Sequence, residues 1–286
     1  NKFFENENQT STNKVKIFSN NKISLSLIGA GNYAKGKLLP ILKSDPNVEF
    51  NGIVTNNGSN SLFIKETYNF LFNTSNIDEL LDDKTNAIMI TTLHNTHSDY
   101  VVKSLNANKH VYVEKPLALN VEELKKVNQA YLANNSSLLV GFNRNFSSLT
   151  KKVLDLFKDI DKKTISIRVN AGKIDKDHWT QNPKVGGGRL IGEGCHFVSL
   201  ASYLASSKIS KVYSNSINFK NSEIICNDNF NISVKFENGS IANIVYTSAG
   251  SAALEKEYIE VFGGGCSAKI IDFQKLELYQ DNKNIF

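Results

Sequence analysis

Cysteine is scarce in this 286-residue chain. Cys195, Cys226 and Cys266 are odd in number and far apart. That excludes a disulfide framework, and no metal-ligand spacing appears, so no metal is expected and a reducing, cytoplasmic location fits. Long apolar runs are missing as well. No segment approaches the ~20 apolar residues of a membrane span, and the N-terminus carries no signal-peptide stretch. Charge of one sign never accumulates. The 33 basic and 28 acidic residues leave a net +5 spread along the chain, with no Lys/Arg cluster of the kind that binds nucleic acid.

What is present is a normal core-forming composition, 41% hydrophobic, in a chain long enough for one large or two ordinary domains. Residues 1–21 are polar and rich in Asn, and read as a tail or linker with at most a short strand at Val15–Phe18. The ordered pattern starts with the apolar run Ile23–Ile28, a buried strand. Helical and strand-like stretches then alternate. Helices are expected at 33–42, 61–68, 76–81 (N-capped by Ser75), 97–106 and 121–133. Strands are expected at 48–55, 87–91, 110–113 and 138–141. Such alternation predicts a doubly wound parallel sheet over residues 22–145.

After Asn145 the rhythm changes. A helix at 148–157 precedes strands at 164–170, 212–219, 230–236, 241–247, 258–262 and 269–272, with a hairpin turn at Glu237–Ser240. One helix, 196–204, interrupts them. The fold class expected is therefore α/β: a Rossmann domain followed, over residues 146–286, by an α+β domain with a mostly antiparallel sheet.

Gly29-x-Gly31-x-x-Ala34 follows the first strand and opens the first helix. Gly29 allows a tight turn, Gly31 lets a pyrophosphate approach the backbone, and Ala34 permits close helix–strand packing. The helix N-terminus presents its positive end to phosphates. This predicts a dinucleotide site including Asn32 and Tyr33. The end of the second strand, Val54-Thr55-Asn56-Asn57-Gly58-Ser59, has neither the carboxylate that holds NAD ribose hydroxyls nor an Arg for a 2′-phosphate. Thr55 and Asn56 are compatible with NAD or NADP, and the choice stays open.

Further along, His110-Val111-Tyr112-Val113-Glu114-Lys115-Pro116-Leu117-Ala118-Leu119 resembles the Glu-Lys-Pro signature of the Gfo/Idh/MocA oxidoreductases. So do Gly29-Ala30-Gly31-Asn32, the loop Thr92–His97 and the junction Gly141–Phe146. The runs Asn170–Gly172, Asp177–Trp179, Gly186–Arg189, Gly192–Phe197 and Lys256–Phe262 are similar to the Gfo/Idh/MocA half of bacterial bi-domain oxidoreductases, where it follows a zinc-alcohol-dehydrogenase-like half. The resemblance covers about residues 23–280. On it the chain reads as C-terminally incomplete, with a fused or associated dehydrogenase domain as a partner. The family's open sheet face implies a homo-oligomer.

The resemblance implies hydride transfer between nicotinamide and a sugar-like substrate, including nucleotide sugars of polysaccharide synthesis. It makes Lys115 a proton-handling and substrate-contacting residue if burial lowers its pKa, and His196 a general acid/base. Many members carry Asp four residues before this His, where Gly192 stands here. Glu193 is the substitute carboxylate, orienting His196 or binding a substrate hydroxyl. Ser199 occupies another frequent Asp position. Thr92, His94, His97, Glu114, Asn143 and Arg144 fall at cofactor-proximal positions; Arg144 alternatively pins the domains. Asn170, Arg189 and Trp179 are substrate-side candidates, Trp179 by stacking on a sugar or else as a plug for its loop. Two other readings stand beside the dehydrogenase: an NAD-dependent glycoside hydrolase of the same fold, and a non-catalytic cofactor-binding module.

Overall fold

The computed structural model describes residues 22–217, 228–281 and 283–286; the tail at 1–21, its short strand and Cys226 lie outside them. The chain divides into two compact units. One comprises, of the described residues, 22–92, 96–113 and 120–139; the other comprises 93–95, 114–119 and the chain from Val140 onward.

The first unit is built on a six-stranded sheet in the order β3-β2-β1-β4-β5-β6. Its strands are β1 (Ile23–Ile28), β2 (Val48–Val54), β3 (Phe72–Thr74), β4 (Ala87–Ile90), β5 (His110–Val113) and β6 (Leu138–Val140). β1 pairs in parallel with both β2 and β4, β2 with β3, and β4 with β5. Leu27, Ile28, Ile53, Ile88 and Ile90 are almost wholly buried, as a sheet covered on both faces requires. Helix α1 spans residues 32–43, with a π turn at Ala34–Leu38. α2 (Gly58–Tyr68), α3 (His97–Asn106) and α4 (Val121–Leu132) follow.

Three details depart from the sequence reading. β3 was not anticipated, because three residues are too few to show alternation. The helix expected at 76–81 is a 3-10 turn, Ile77–Leu80. Its cap is Asn76, not Ser75: the Asn76 carboxamide oxygen accepts the Asp78 N–H at 3.0 Å. Asn is as good a cap as Ser, and the chain reaches the required extended conformation one residue later.

The second unit carries an eight-stranded sheet, β14-β13-β12-β11-β7-β10-β9-β8. The strands are β7 (Thr164–Asn170), β8 (Ile209–Ser216), β9 (Phe230–Phe236), β10 (Ile241–Thr247), β11 (Glu257–Gly263), β12 (Cys266–Ile271), β13 (Lys275–Gln280) and β14 (Lys283–Asn284). Neighbouring strands pair antiparallel except the central β10–β7 pair, which is parallel. Helices α5 (Ser148–Leu156) and α6 (residues 188–205) pack on one face. There Val153, Phe197, Leu200 and Leu204 join Ile165, Ile167, Val234, Ile244, Ile259 and Ile270 in a single core. α6 also contains a π turn, Leu190–Gly194.

β8 begins three residues before the expected Val212, and positions 218–219 of that expectation fall outside the described residues. β12 begins at Cys266 rather than Lys269. β13 was missed although Leu276 and Leu278 alternate inward, because the turn before it, Asp272-Phe273, lacks the glycine that signals a hairpin.

Candidate functional site

In the first unit the turn after β1 has the geometry of a dinucleotide cradle. Gly29 sits at φ +82°, and a Cβ there would lie 2.7 Å from Thr92 Cγ2 and 3.0 Å from the Thr91 backbone. Its N–H donates to Val54 O at 2.8 Å, and its carbonyl accepts from Thr91 Oγ1 at 2.8 Å. A Cβ on Gly31 would meet nothing closer than Thr91 O at 3.9 Å. Space is therefore open beside Gly31, and the exposed Asn32 and Tyr33 flank it at the start of α1, while Ala34 is fully buried. These residues fit the pyrophosphate of a dinucleotide.

At the end of β2, Thr55 Oγ1 donates to Asn57 O, and the Asn57 side chain caps α2 by accepting from Ser59 N and Asn60 N; Asn56 is exposed. In the loop after β4, Thr92 and Thr96 hydroxyls meet at 2.6 Å. His97 is fully buried, with Nε2 3.1 Å from Thr92 O, so the imidazole braces that loop.

The second unit assembles most of the remaining candidates. Lys115, joined to Pro116 by a cis peptide, donates from Nζ to the carbonyl of Gly192 at 2.7 Å. Gly192 lies in the π turn of α6. π turns recur at functional sites because they shift the side chains that follow them. Burial lowers the Lys115 pKa, and the nearby Arg144 charge adds to this against the opposing pull of Cys195, Glu114 and Glu193.

His196, one turn on, is 4% exposed, and its Nδ1 is buried without a hydrogen-bond partner among the described residues. Burial, then the charges of Arg144 and Lys115, hold this imidazole neutral by lowering its pKa to about 2. The adjacent Cys195 thiol is pushed by burial up to about 11, so it is no thiolate at neutral pH.

Glu193 does not hydrogen-bond His196. Its Oε2 accepts from Tyr246 OH at 2.5 Å and pairs with Arg189 at 3.0 Å, and its Oε1 accepts from Lys256 at 2.7 Å. Burial alone would raise its pKa; the Lys256 and Tyr246 hydrogen bonds and the Lys256 and Arg189 charges bring it to about 2. Arg189 is 3% exposed, and its remaining donors go to Tyr246 OH, Gly172 O and Ala171 O. Asn170 is likewise turned inward, with Nδ2 donating to Ser251 O and Leu254 O.

Arg144 makes a two-pronged pair with Glu257, at 2.8 and 2.5 Å, and its guanidinium lies 4.8 Å from the centre of the Phe197 ring. Glu114 is half-buried and Asn143 exposed. His94 Nδ1 lies 2.8 Å from Gly186 O, and the Trp179 ring stands edge-on to His94 at 4.8 Å.

Gly192 and Ser199 stand where the resemblance implies Asp, and each has a defined neighbour. A Cβ on Gly192 would lie 3.2 Å from His94 Cε1 and 3.2 Å from Gly186 O, so His94 occupies the space an Asp would need. Ser199 Oγ accepts from Asn145 Nδ2 at 3.0 Å, making a neutral contact. The sequence reading missed Tyr246, Lys256 and Glu257 as members of this cluster. The available signal was polarity at inward positions: Tyr246 shares a face with Ala242 and Ile244, and Glu257 with Ile259 and Val261.

Comparison with known proteins decides the family. Residues 23–142 match the model of the Gfo/Idh/MocA oxidoreductase family, NAD-binding Rossmann fold, and residues 163–268 match a Gfo/Idh/MocA C-terminal domain. The chain belongs to the Gfo/Idh/MocA oxidoreductases. It is similar to the oxidoreductase YrbE of Bacillus subtilis, at 24% identity over 86% of this chain and 73% of that one. It is also similar to myo-inositol 2-dehydrogenase of Thermotoga maritima, at 25% identity over 65% of this chain and 56% of that protein. The solved aldose-aldose oxidoreductase of Caulobacter crescentus, complexed with glycerol, has the same fold, with a TM-score of 0.81 and 18% identity over 92% of this chain and 82% of that one. As a Gfo/Idh/MocA oxidoreductase the chain has an NAD-binding Rossmann domain. Among the described residues, no helix is long and apolar enough to cross a membrane.

Proposed function

We propose that this oxidoreductase interconverts a hydroxyl and a carbonyl group on a sugar or sugar derivative, with Lys115 as the group that moves the proton. The observation that carries the reading is the convergence of the half-buried Lys115 ammonium and the unpartnered Nδ1 of His196 on the π turn of α6. Redox chemistry comes from the nicotinamide when it is bound, as acceptor or donor of a hydride. Gly29, Gly31, Asn32 and Tyr33 would hold its pyrophosphate, with Thr55, Asn56, Thr92, Glu114, Asn143 and Arg144 as the further cofactor-side residues and the buried His97 bracing the loop that carries Thr92.

Lys115 then donates to a forming alkoxide or, once neutral, takes the proton of a hydroxyl. His196, kept neutral, serves as a hydrogen-bonding partner for a substrate hydroxyl. Glu193, clamped as a carboxylate by three donors, holds the turn that presents Lys115 and His196 and carries no proton itself. Arg189 and Asn170 support that frame from within the fold, and Trp179 offers an aromatic surface to substrate. The similarity to myo-inositol 2-dehydrogenase supports a polyhydroxylated ring as substrate.

A zinc-alcohol-dehydrogenase-like partner and a role in polysaccharide synthesis rest on the subgroup motifs and belong to the proposal. So does self-association, which the exposed Ile241, Val245 and Phe262 on the outer sheet face support.

The test is NADH and NADPH binding by calorimetry, followed by a sugar and cyclitol screen with the parent and Lys115→Ala. Turnover by the parent, lost in a variant that still binds cofactor, is the expected result. A folded parent that binds neither cofactor overturns the reading.

A further inference from the structure

The second unit holds an open groove of about 490 Å³, two of whose lining residues, Asp272 and Phe273, have no part in the reaction proposed above. Its charged lining is Arg144, Lys256, Glu257 and Asp272, and beside them stands the half-buried Phe273, which also packs against the core. Asn143 and Ser147 complete the wall. The groove adjoins the Lys115 and His196 cluster through two shared residues. Lys256 bonds Glu193, and Arg144 lies over the ring of Phe197, which directly follows His196.

The turn that enters the groove is unusual. Asp272, Phe273 and Gln274 link β12 to β13, with Ile271 paired to Lys275; Asp272 and Phe273 stand at φ +49° and +53°, and Gln274 N donates to Ile271 O at 2.9 Å. A β-turn with both central φ values positive favours Asn or Asp followed by Gly, because side chains with a Cβ are disfavoured there. Asp suits the first place; a Phe stands where glycine belongs. Strain of this kind persists where the surrounding structure enforces it and clusters at ligand sites. Here two bonds enforce it: Asp272 N donates to Glu257 O at 2.8 Å, and Glu257 N donates to Asp272 Oδ1 at 2.7 Å. The turn thereby sets Phe273 and the Asp272 carboxylate at the groove.

Charge decides what the groove suits. Arg144 is paired with Glu257, and Lys256 with Glu193. Two cations and two carboxylates line the groove, so it offers no net charge to a phosphate. A ring face, a carboxylate and an amide side chain instead match a neutral polyhydroxylated ring, which stacks its C–H face on an aromatic and donates its hydroxyls to carboxylate oxygen. The volume lies within the range of small-molecule sites.

We infer that Asp272 and Phe273 form a second sugar subsite, so that the substrate is a glycoside of at least two rings, with the reacting ring at Lys115 and the next ring in this groove. The inference rests on the proposed placement of the reacting ring.

The test measures binding to the NADH-loaded full chain by calorimetry. Methyl glycosides of glucose, galactose and mannose are each compared with the disaccharide carrying one further glucosyl unit. The best disaccharide is expected to bind about 10-fold more tightly than its own monosaccharide. Phe273→Gly relaxes the turn and Asp272→Asn keeps the turn and its Oδ1 contact; both are expected to erase that gain while leaving the monosaccharide Kd unchanged. Saturation-transfer NMR is expected to show the second ring receiving magnetisation in the parent and not in Phe273→Gly. Equal affinity for one ring and two, or a gain that survives both substitutions, overturns the subsite and leaves the proposed reaction standing. Binding of no sugar at all by the cofactor-loaded parent overturns both.

Discussion

Lys115 Nζ donates to the carbonyl of Gly192 at 2.7 Å, at a position where the family resemblance implies a carboxylate. The ammonium thus rests against a backbone dipole and not against a full negative charge. A carboxylate there would favour the charged lysine; a carbonyl leaves the lowering of its pKa by burial less opposed.

That arrangement has a pH signature. Oxidation of a hydroxyl needs neutral Lys115, so its rate is expected to rise with pH and level off at a midpoint below the ordinary lysine value of 10.5. Reduction needs the ammonium and should fall across the same range. Gly192→Asp is expected to move both midpoints upward, and kcat against pH in each direction measures them. A midpoint unchanged between parent and variant would show that Lys115 is not the titrating group.

The same substitution tests the packing. Asp at 192 must displace His94, whose ring atom lies 3.2 Å from the added Cβ. Overpacking of this kind costs about 1–3 kcal/mol. Thermal melting of Gly192→Asp should show the loss, and Gly192→Asp combined with His94→Ala should recover most of it. An additive double variant would place the clash elsewhere.

Acid should weaken the fold in two stages. His196 has a folded pKa of about 2 against 6.5, so between these values the unfolded chain binds a proton that the folded chain does not, and stability falls as pH drops below 6.5. Glu193, at about 2 against 4.5, adds a second decline below pH 4.5 in the same direction. Urea unfolding from pH 7 to 3 is expected to show both slopes. His196→Gln should flatten the upper one, and Glu193→Gln the lower. Glu193→Gln also leaves the buried Arg189 guanidinium without its ionic partner, an expected loss on the order of 3 kcal/mol at neutral pH.

The two glycines of the cofactor turn should fail differently. Gly29→Ala puts a Cβ at φ +82° and 2.7 Å from Thr92 Cγ2, so it should lower the melting temperature, by about 1–3 kcal/mol in stability. Gly31→Asp has room for its side chain, so it should fold normally and lose NADH binding through the charge set in the phosphate's path. Paired melting and calorimetry separate the two. A Gly31→Asp protein that still binds NADH would move the pyrophosphate off this turn.

The sequence by itself determined the two-part architecture and the cofactor turn, because each depends on local patterning, while the candidacy of Lys115 and His196 came from motifs that resemble those of the family. Strand–helix alternation is written in residue periodicity, and the Gly29–Ala34 turn is constrained by backbone space within a few residues. Only tertiary structure decided what surrounds them. Glu193 faces Tyr246, Arg189 and Lys256 rather than His196 because a π turn in α6 and the register of β10 bring distant side chains together. The exchange of Asp for Gly192 makes sense only once His94, almost one hundred residues earlier, is seen filling that space. β13 and its Asp272-Phe273 turn escaped the sequence because their conformation goes against local preference and is held by Glu257, a contact made across the sheet. Side-chain contacts between segments far apart in the chain leave no periodic trace in it, so the environment of a site is decided by the fold as a whole.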